Sequence, residues 1–142
     1  MRSVRQSGFT LVEILIVVVI LGVLSAIVVP QFARATGDAQ MVGTVDQLVK
    51  LRRALAVYYV RENSRFPTVE AGNGTWGSLL GGHYMRNPPS NVWVGGDNAR
   101  VITIGTGPDS GYHTDYGWIY NPATGDVWAA GYDANDNPFP KP

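Results

Sequence analysis

The chain opens on a long apolar run and changes character twice after it. Residues 14–29 carry no charge, and between Phe9 and Pro30 the only charged side chain is Glu13. As a helix, those 22 residues measure about 33 Å at ~1.5 Å per residue, the thickness of a bilayer's hydrocarbon core. Gly22 and Ala26 form a small-xxx-small pair through which helices approach closely in lipid. Pro30 ends or kinks the apolar helix, because it lacks an amide proton and its ring crowds the preceding turn. Residues 31–65 then read as an amphipathic helix. Phe32, Ala35, Ala39 and Val42 start a stripe at helical spacing that Val45, Leu48, Leu55 and Tyr59 continue. Gly37 and Gly43 loosen it by up to about 1 kcal/mol each against alanine, and Pro67 closes the helical part.

From Phe66 onward the period shortens to strands and turns. Residues 92–94 and 100–105 flank Gly-Gly-Asp-Asn-Ala as a hairpin-like pair, and 117–120 and 126–130 flank Asn-Pro-Ala-Thr-Gly as a stronger one. Trp93, Trp118, Trp128 and Tyr120 alternate with polar neighbours, which predicts that they pack a sheet onto the second half of the helix; an exposed aromatic platform is the alternative. The predicted fold is α+β, a long N-terminal helix packed on a small antiparallel sheet.

Composition adds exclusions. With 142 residues there is room for one modest domain and its helix. No cysteine is present, so disulfides, thiolate metal sites and thiol nucleophiles are ruled out. The net charge of zero hides a division. Residues 31–65 hold six basic and three acidic side chains, whereas 66–142 hold three basic and seven acidic. A basic stalk and an acidic head suit copies stacking on one another, and equally suit simple solvation.

Three readings compete for the N-terminus. Arg2 and Arg5, the apolar run and Ala33-Arg34-Ala35 have the parts of a secretory signal peptide, although the run is long and Glu13 is out of place in it. A plain membrane anchor also fits, with Thr10 and Glu13 as a capping box and the two arginines holding the N-terminus in the cytoplasm. The third reading rests on Gly8-Phe9-Thr10-Leu11-Val12-Glu13, the apolar run with Gly22, and Pro30. Jointly these residues resemble the class III signal of type IV pilins and type II secretion pseudopilins, over residues 2–32.

That resemblance implies a leader of residues 1–8, removed by a prepilin peptidase between Gly8 and Phe9, with methylation of the new Phe9 amine to N-methylphenylalanine. It implies a filament-core and transmembrane helix over 9–30, an amphipathic half over 31–65 and a β-rich globular region over 66–142. The physics is compatible. A glycine enters a protease cleft without side-chain hindrance. Cleavage creates a cation four residues from Glu13, and a buried carboxylate needs such a partner. The subunit is then expected to be single-pass in the inner membrane with its C-terminal region periplasmic. Its expected partners are its own copies, other pilins or pseudopilins, the peptidase and an inner-membrane assembly platform.

Little else carries chemistry. His83 and His113 lack ligand-spaced companions. Ser110, His113 and Asp115 crowd one turn-rich stretch and make a triad only in name. Residues 105–111 lack the ending of a phosphate loop. No basic groove marks the head for specific nucleic-acid binding, and the expectation is a non-enzyme. Asp133-Ala134-Asn135-Asp136-Asn137 places oxygen ligands at alternate positions as a calcium loop begins; Asp133, Asn135 and Asp136 are the candidate ligands, and Asp115 or Asp109 is a candidate addition. Major pseudopilins as a family carry calcium in their C-terminal loops, but here Pro138 stands where an EF-hand needs glycine, and a solvated terminal turn is the alternative. The stretch from Phe66, the acidic tail and the absence of the cysteine pair that many type IV pilins use lean toward type II secretion, and Glu13 toward a body subunit; a surface pilus for adhesion, motility or DNA uptake is the rival.

Overall fold

The computed structural model describes residues 8–81 and 84–142; the leader arginines Arg2 and Arg5 and His83 lie outside them. Two compact units are present, Met1–Thr36 and Gly37–Pro142. Helix α1 is assigned over Leu11–Arg61, followed by the short α2 (Ser78–Gly81), a 3-10 turn (Asp97–Arg100), and strands β1 (Ile102–Ile104), β2 (Trp118–Tyr120) and β3 (Val127–Ala129). The α+β class is as expected. Pro30, however, lies inside α1, so it does not end the helix. α1 stops at Arg61, short of residue 65.

In the 37–142 unit, α1 buries Thr44, Leu48, Leu51, Ala54 and Leu55. The spacing 44, 48, 51, 55 keeps one face inward. This face lies to one side of the predicted stripe, since Val42 is exposed and Tyr59 rests at the surface, stacked on Phe66 at 4.6 Å. Leu48, Leu51 and Leu55 meet Trp76, Trp118, Tyr120, Val127 and Tyr132 in one core. Of the four expected aromatics, Trp118 and Tyr120 are fully buried and Trp93 packs against the core edge. Trp128 is half-buried.

The sheet is mixed, a correction to the all-antiparallel expectation. β2 and β3 pair antiparallel, with Trp118 opposite Ala129 and Tyr120 opposite Val127. The Asn121–Gly125 turn closes them through Gly125 N–H donating to Asn121 O at 2.8 Å. Gly125 sits at φ +77°, and the Phe66 ring fills the space a side chain would need. β1 instead pairs parallel to β2, Ile102 with Trp118. A parallel pair needs a long crossover, and residues 105–117 supply it without a helix.

The expected hairpin around residues 95–99 does not form, and Asn91 is the reason. Its Oδ1 accepts the amides of Trp93 (3.0 Å) and Val94 (3.1 Å), the donors a strand would offer its neighbour. Its Nδ2 donates to Gly117 O (2.8 Å) and Ala130 O (2.9 Å). Thr44 Oγ1, in turn, accepts Trp93 N–H at 3.0 Å and donates to Gln40 O at 2.9 Å. Asn91 is fully buried, so one side chain ties the 92–94 turn to the start of β2, the end of β3 and, through Thr44, helix α1.

Removing that amide leaves Val94 N–H and Ala130 O without their partner, at about 1–3 kcal/mol for each unsatisfied buried group, while Trp93 N–H keeps Thr44 Oγ1 and Gly117 O keeps Ala130 N–H. Asn91→Ala is expected to cost at least about 2 kcal/mol in denaturant unfolding, against under about 1 kcal/mol for exposed Asn135→Ala. Tyr120 and Tyr132 give a pH signature. Burial raises both phenols to about 12 because the charged phenolate is disfavoured there. Folded pKa values above the unfolded ~10 mean that this stability is complete below pH ~10 and is lost as pH rises toward 12. The melting temperature is expected to fall across that window, with tyrosinate absorbance rising at unfolding.

Candidate functional site

Gly8, Phe9 and Thr10 precede the first turn of α1 and are exposed, Phe9 at 84%. Among the described residues nothing approaches within 4 Å of where a Gly8 side chain would stand. Thr10 and Glu13 then form the capping box that their spacing predicts. Glu13 Oε2 accepts both the amide (2.9 Å) and the hydroxyl (2.9 Å) of Thr10, while Glu13 N–H donates to Thr10 Oγ1 at 3.2 Å. The carboxylate also sits in the first turn, where the helix dipole favours it.

Below the cap, α1 is apolar all round. Leu11, Ile14, Ile20, Leu24 and Val29 are all exposed, and the helix is long and apolar enough to cross a membrane. An apolar cylinder of this size has no stable place in water; it needs lipid or neighbouring helices. A side chain at Gly22 would meet nothing within 4 Å. The unit's own packing therefore gives no reason for glycine there, although it lowers helix propensity by roughly 1 kcal/mol against alanine. At Pro30 the missing amide proton leaves one helical acceptor unpaired.

In the head, the triad ingredients do not assemble. His113 Nε2 meets Asp109 Oδ2 at 2.7 Å and not Asp115, while Ser110 and Asp115 are exposed. Asp109 is nearly buried. Its other contacts are Tyr116 OH at 2.8 Å and Gly131 N–H at 2.8 Å. Burial, and then the bond to Asp109, push the Tyr116 phenol up to about 12. This cluster fastens the 105–117 crossover to the chain just after β3. An open groove of about 890 Å³ is lined by Lys50, Arg53, Arg61 and Arg86 over Ala54 and Met85.

The calcium candidates are dispersed and engaged. Asp133 Oδ1 accepts the amides of Asn135 (2.8 Å) and Asn137 (2.9 Å). These bonds, the Asn137 amide first, hold its carboxyl below the usual range. Asp136 binds Arg52 through both oxygens, and Asn135 and Asp115 are exposed. Among the described residues no three Asp, Glu, His or Cys side chains converge as a metal site, and with their oxygens already engaged Asp133 and Asp136 do not fit the ion as they stand. Arg52 and Asn91 were passed over by sequence reasoning. Their only signal was an arginine beside an apolar stripe and an asparagine opening Asn-Val-Trp-Val.

Comparison with known proteins gives a consistent outcome. A family profile described as "Prokaryotic N-terminal methylation motif" matches residues 4–29. The chain is 36% identical over 122 residues to type II secretion system core protein G of Klebsiella pneumoniae, covering 74% of this chain and 86% of that protein. It is 33% identical over 128 residues to the core protein G of Dickeya chrysanthemi, covering 78% and 83%. For the Vibrio cholerae protein of the same name the figures are 34% over 110 residues, covering 71% and 73%. No solved structure gives a significant match.

Proposed function

We propose that this chain, which belongs to the family of type II secretion system core protein G, is a pseudopilin, the structural subunit of a type IV-pilus-like filament that serves protein secretion. The observation that carries the reading is the methylation motif over residues 4–29 joined to relatives matched along most of their length. These relatives favour secretion over a surface pilus. The chain acts by assembly and not by catalysis.

The sequence of events follows from the site. The precursor sits in the inner membrane by residues 9–30, with the C-terminal region periplasmic. Prepilin peptidase cuts between Gly8 and Phe9 and the new Phe9 amine is methylated. Until then Glu13 is satisfied by Thr10. After the cut, Glu13 of one subunit takes the Phe9 amine of the next as the helices leave lipid for a filament core. Pairing there avoids an isolated buried charge, which costs several kcal/mol, and it fixes axial register. Gly22 provides a close-approach point between helices. A bend at Pro30, where the ring crowds the preceding turn, adapts the helix to its neighbours. Other pseudopilins and an inner-membrane assembly platform complete the partners.

Glu13→Ala separates insertion from assembly. The variant chain is expected to insert and be processed normally, because Gly8 and the apolar run are intact. Its recovery in sheared filaments should drop at least about tenfold, since each 1.4 kcal/mol lost per contact is a factor of ten. Filament yield equal to the parent chain would contradict the role given to Glu13. Deleting the gene should in addition trap exported enzymes in the periplasm; normal export would contradict the secretion assignment.

A further inference from the structure

We propose that the C-terminal turn of this chain is closed by the Arg52 guanidinium in the place of a divalent cation, so that folding of the 37–142 unit is independent of calcium. The proposal goes beyond filament assembly and concerns what holds the head together. A hard cation binding this turn would recruit carboxylate oxygens and a backbone carbonyl. Arg52 already takes that ligand set. Its Nη1 and Nη2 donate to the two oxygens of Asp136, and its Nε (3.3 Å) and Nη2 (3.2 Å) donate to Val127 O on β3. A bidentate guanidinium–carboxylate pair is directional as well as strong. One side chain of α1 thus joins the helix, the sheet and the terminal turn.

The remaining oxygens are consumed locally. Asp133 spends Oδ1 on two backbone amides and Oδ2 on Asn137 Nδ2 at 3.3 Å. The turn is closed by Asp133 N–H to Asn137 O at 2.9 Å, and Phe139 N–H donates to Gly131 O at 2.8 Å. To bind there, a calcium ion would have to displace a fixed positive charge from Asp136 and strip two amides from Asp133. A second cation of the chain repeats the device further along: Lys141 Nζ donates to Gln40 Oε1 at 2.7 Å and lies 4.4 Å from the centre of the Trp93 ring. Tyr132 OH donates to Met41 O at 3.3 Å. The tail is therefore strapped to α1 at Gln40, Met41 and Arg52 by groups the protein itself carries.

The test is thermal unfolding of the full chain in detergent micelles, with millimolar calcium and with a chelator, together with calcium binding by equilibrium dialysis. The parent chain is expected to melt at the same temperature, within about 1 °C, in both conditions and to retain no stoichiometric calcium. Arg52→Ala and Asp136→Asn should each lower the melting temperature by about 4–8 °C, the shift that ~1 kcal/mol makes in a domain of this size. The double variant should fall no further than Arg52→Ala alone, because the Asp136 carboxylate acts only through the pair that Arg52→Ala already removes. If Arg52→Ala does not fold, Asp136→Asn, which keeps the shape of the side chain, still reads the same contact. A calcium-dependent rise of several degrees in the parent chain, one bound calcium per chain, or single variants as stable as the parent would each overturn the proposal.

Discussion

A carboxylate at the head of an apolar helix has to keep hydrogen-bond donors in every environment the helix enters, and Glu13 is the only charge between Phe9 and Pro30. In the uncut chain Thr10 supplies those donors from its amide and hydroxyl. That solution is local, costs nothing from the rest of the molecule, and lets the helix begin at Leu11 in an apolar medium. The apolar first half of that helix buries none of its surface among the described residues, so its stability must come from outside, from lipid or from neighbouring helices. In the assembly proposed above, a charge capped in the first setting and paired in the second would distinguish the two without any change of fold.

The head follows a different rule. Its sheet has only three strands of three residues each, too little to bury a core alone, and helix α1 provides the missing layer with Leu48, Leu51 and Leu55. Because the strands are short, irregular backbone must be satisfied by side chains, and a few polar groups carry that burden. Asn91 joins the 92–94 turn to two other segments, Asp109 fastens the crossover, and Arg52 closes the tail. All three contacts link residues distant in sequence. The head is thus specified by polar nodes set around an aromatic core.

These nodes also mark where sequence reasoning ran out. The apolar helix, the capping box and the Asn-Pro-Ala-Thr-Gly hairpin were legible because periodicity, a three-residue spacing and turn chemistry are all local signals. The pair flanking residues 95–99 misled, since its β-branched and aromatic residues have strand propensity but Asn91 captures their amides. Pro30 misled in part, because the helix continues through it on both sides. The parallel pairing of β1 with β2 depends on a long irregular crossover that no local pattern announces. The Asp133–Asn137 stretch has the composition of a cation loop, yet Arg52, more than eighty positions earlier, already holds its carboxylate.

The central claim is that the chain is cut within Gly8–Phe9 so that the new amine can meet Glu13. Intact-mass and N-terminal fragment spectrometry of the protein recovered from membranes measures this directly. The account predicts a mature chain beginning at Phe9 with one methyl group on its amine. A chain beginning at Thr36, the product of an ordinary signal peptidase, or one retaining residues 1–8 in assembled filaments, would contradict it.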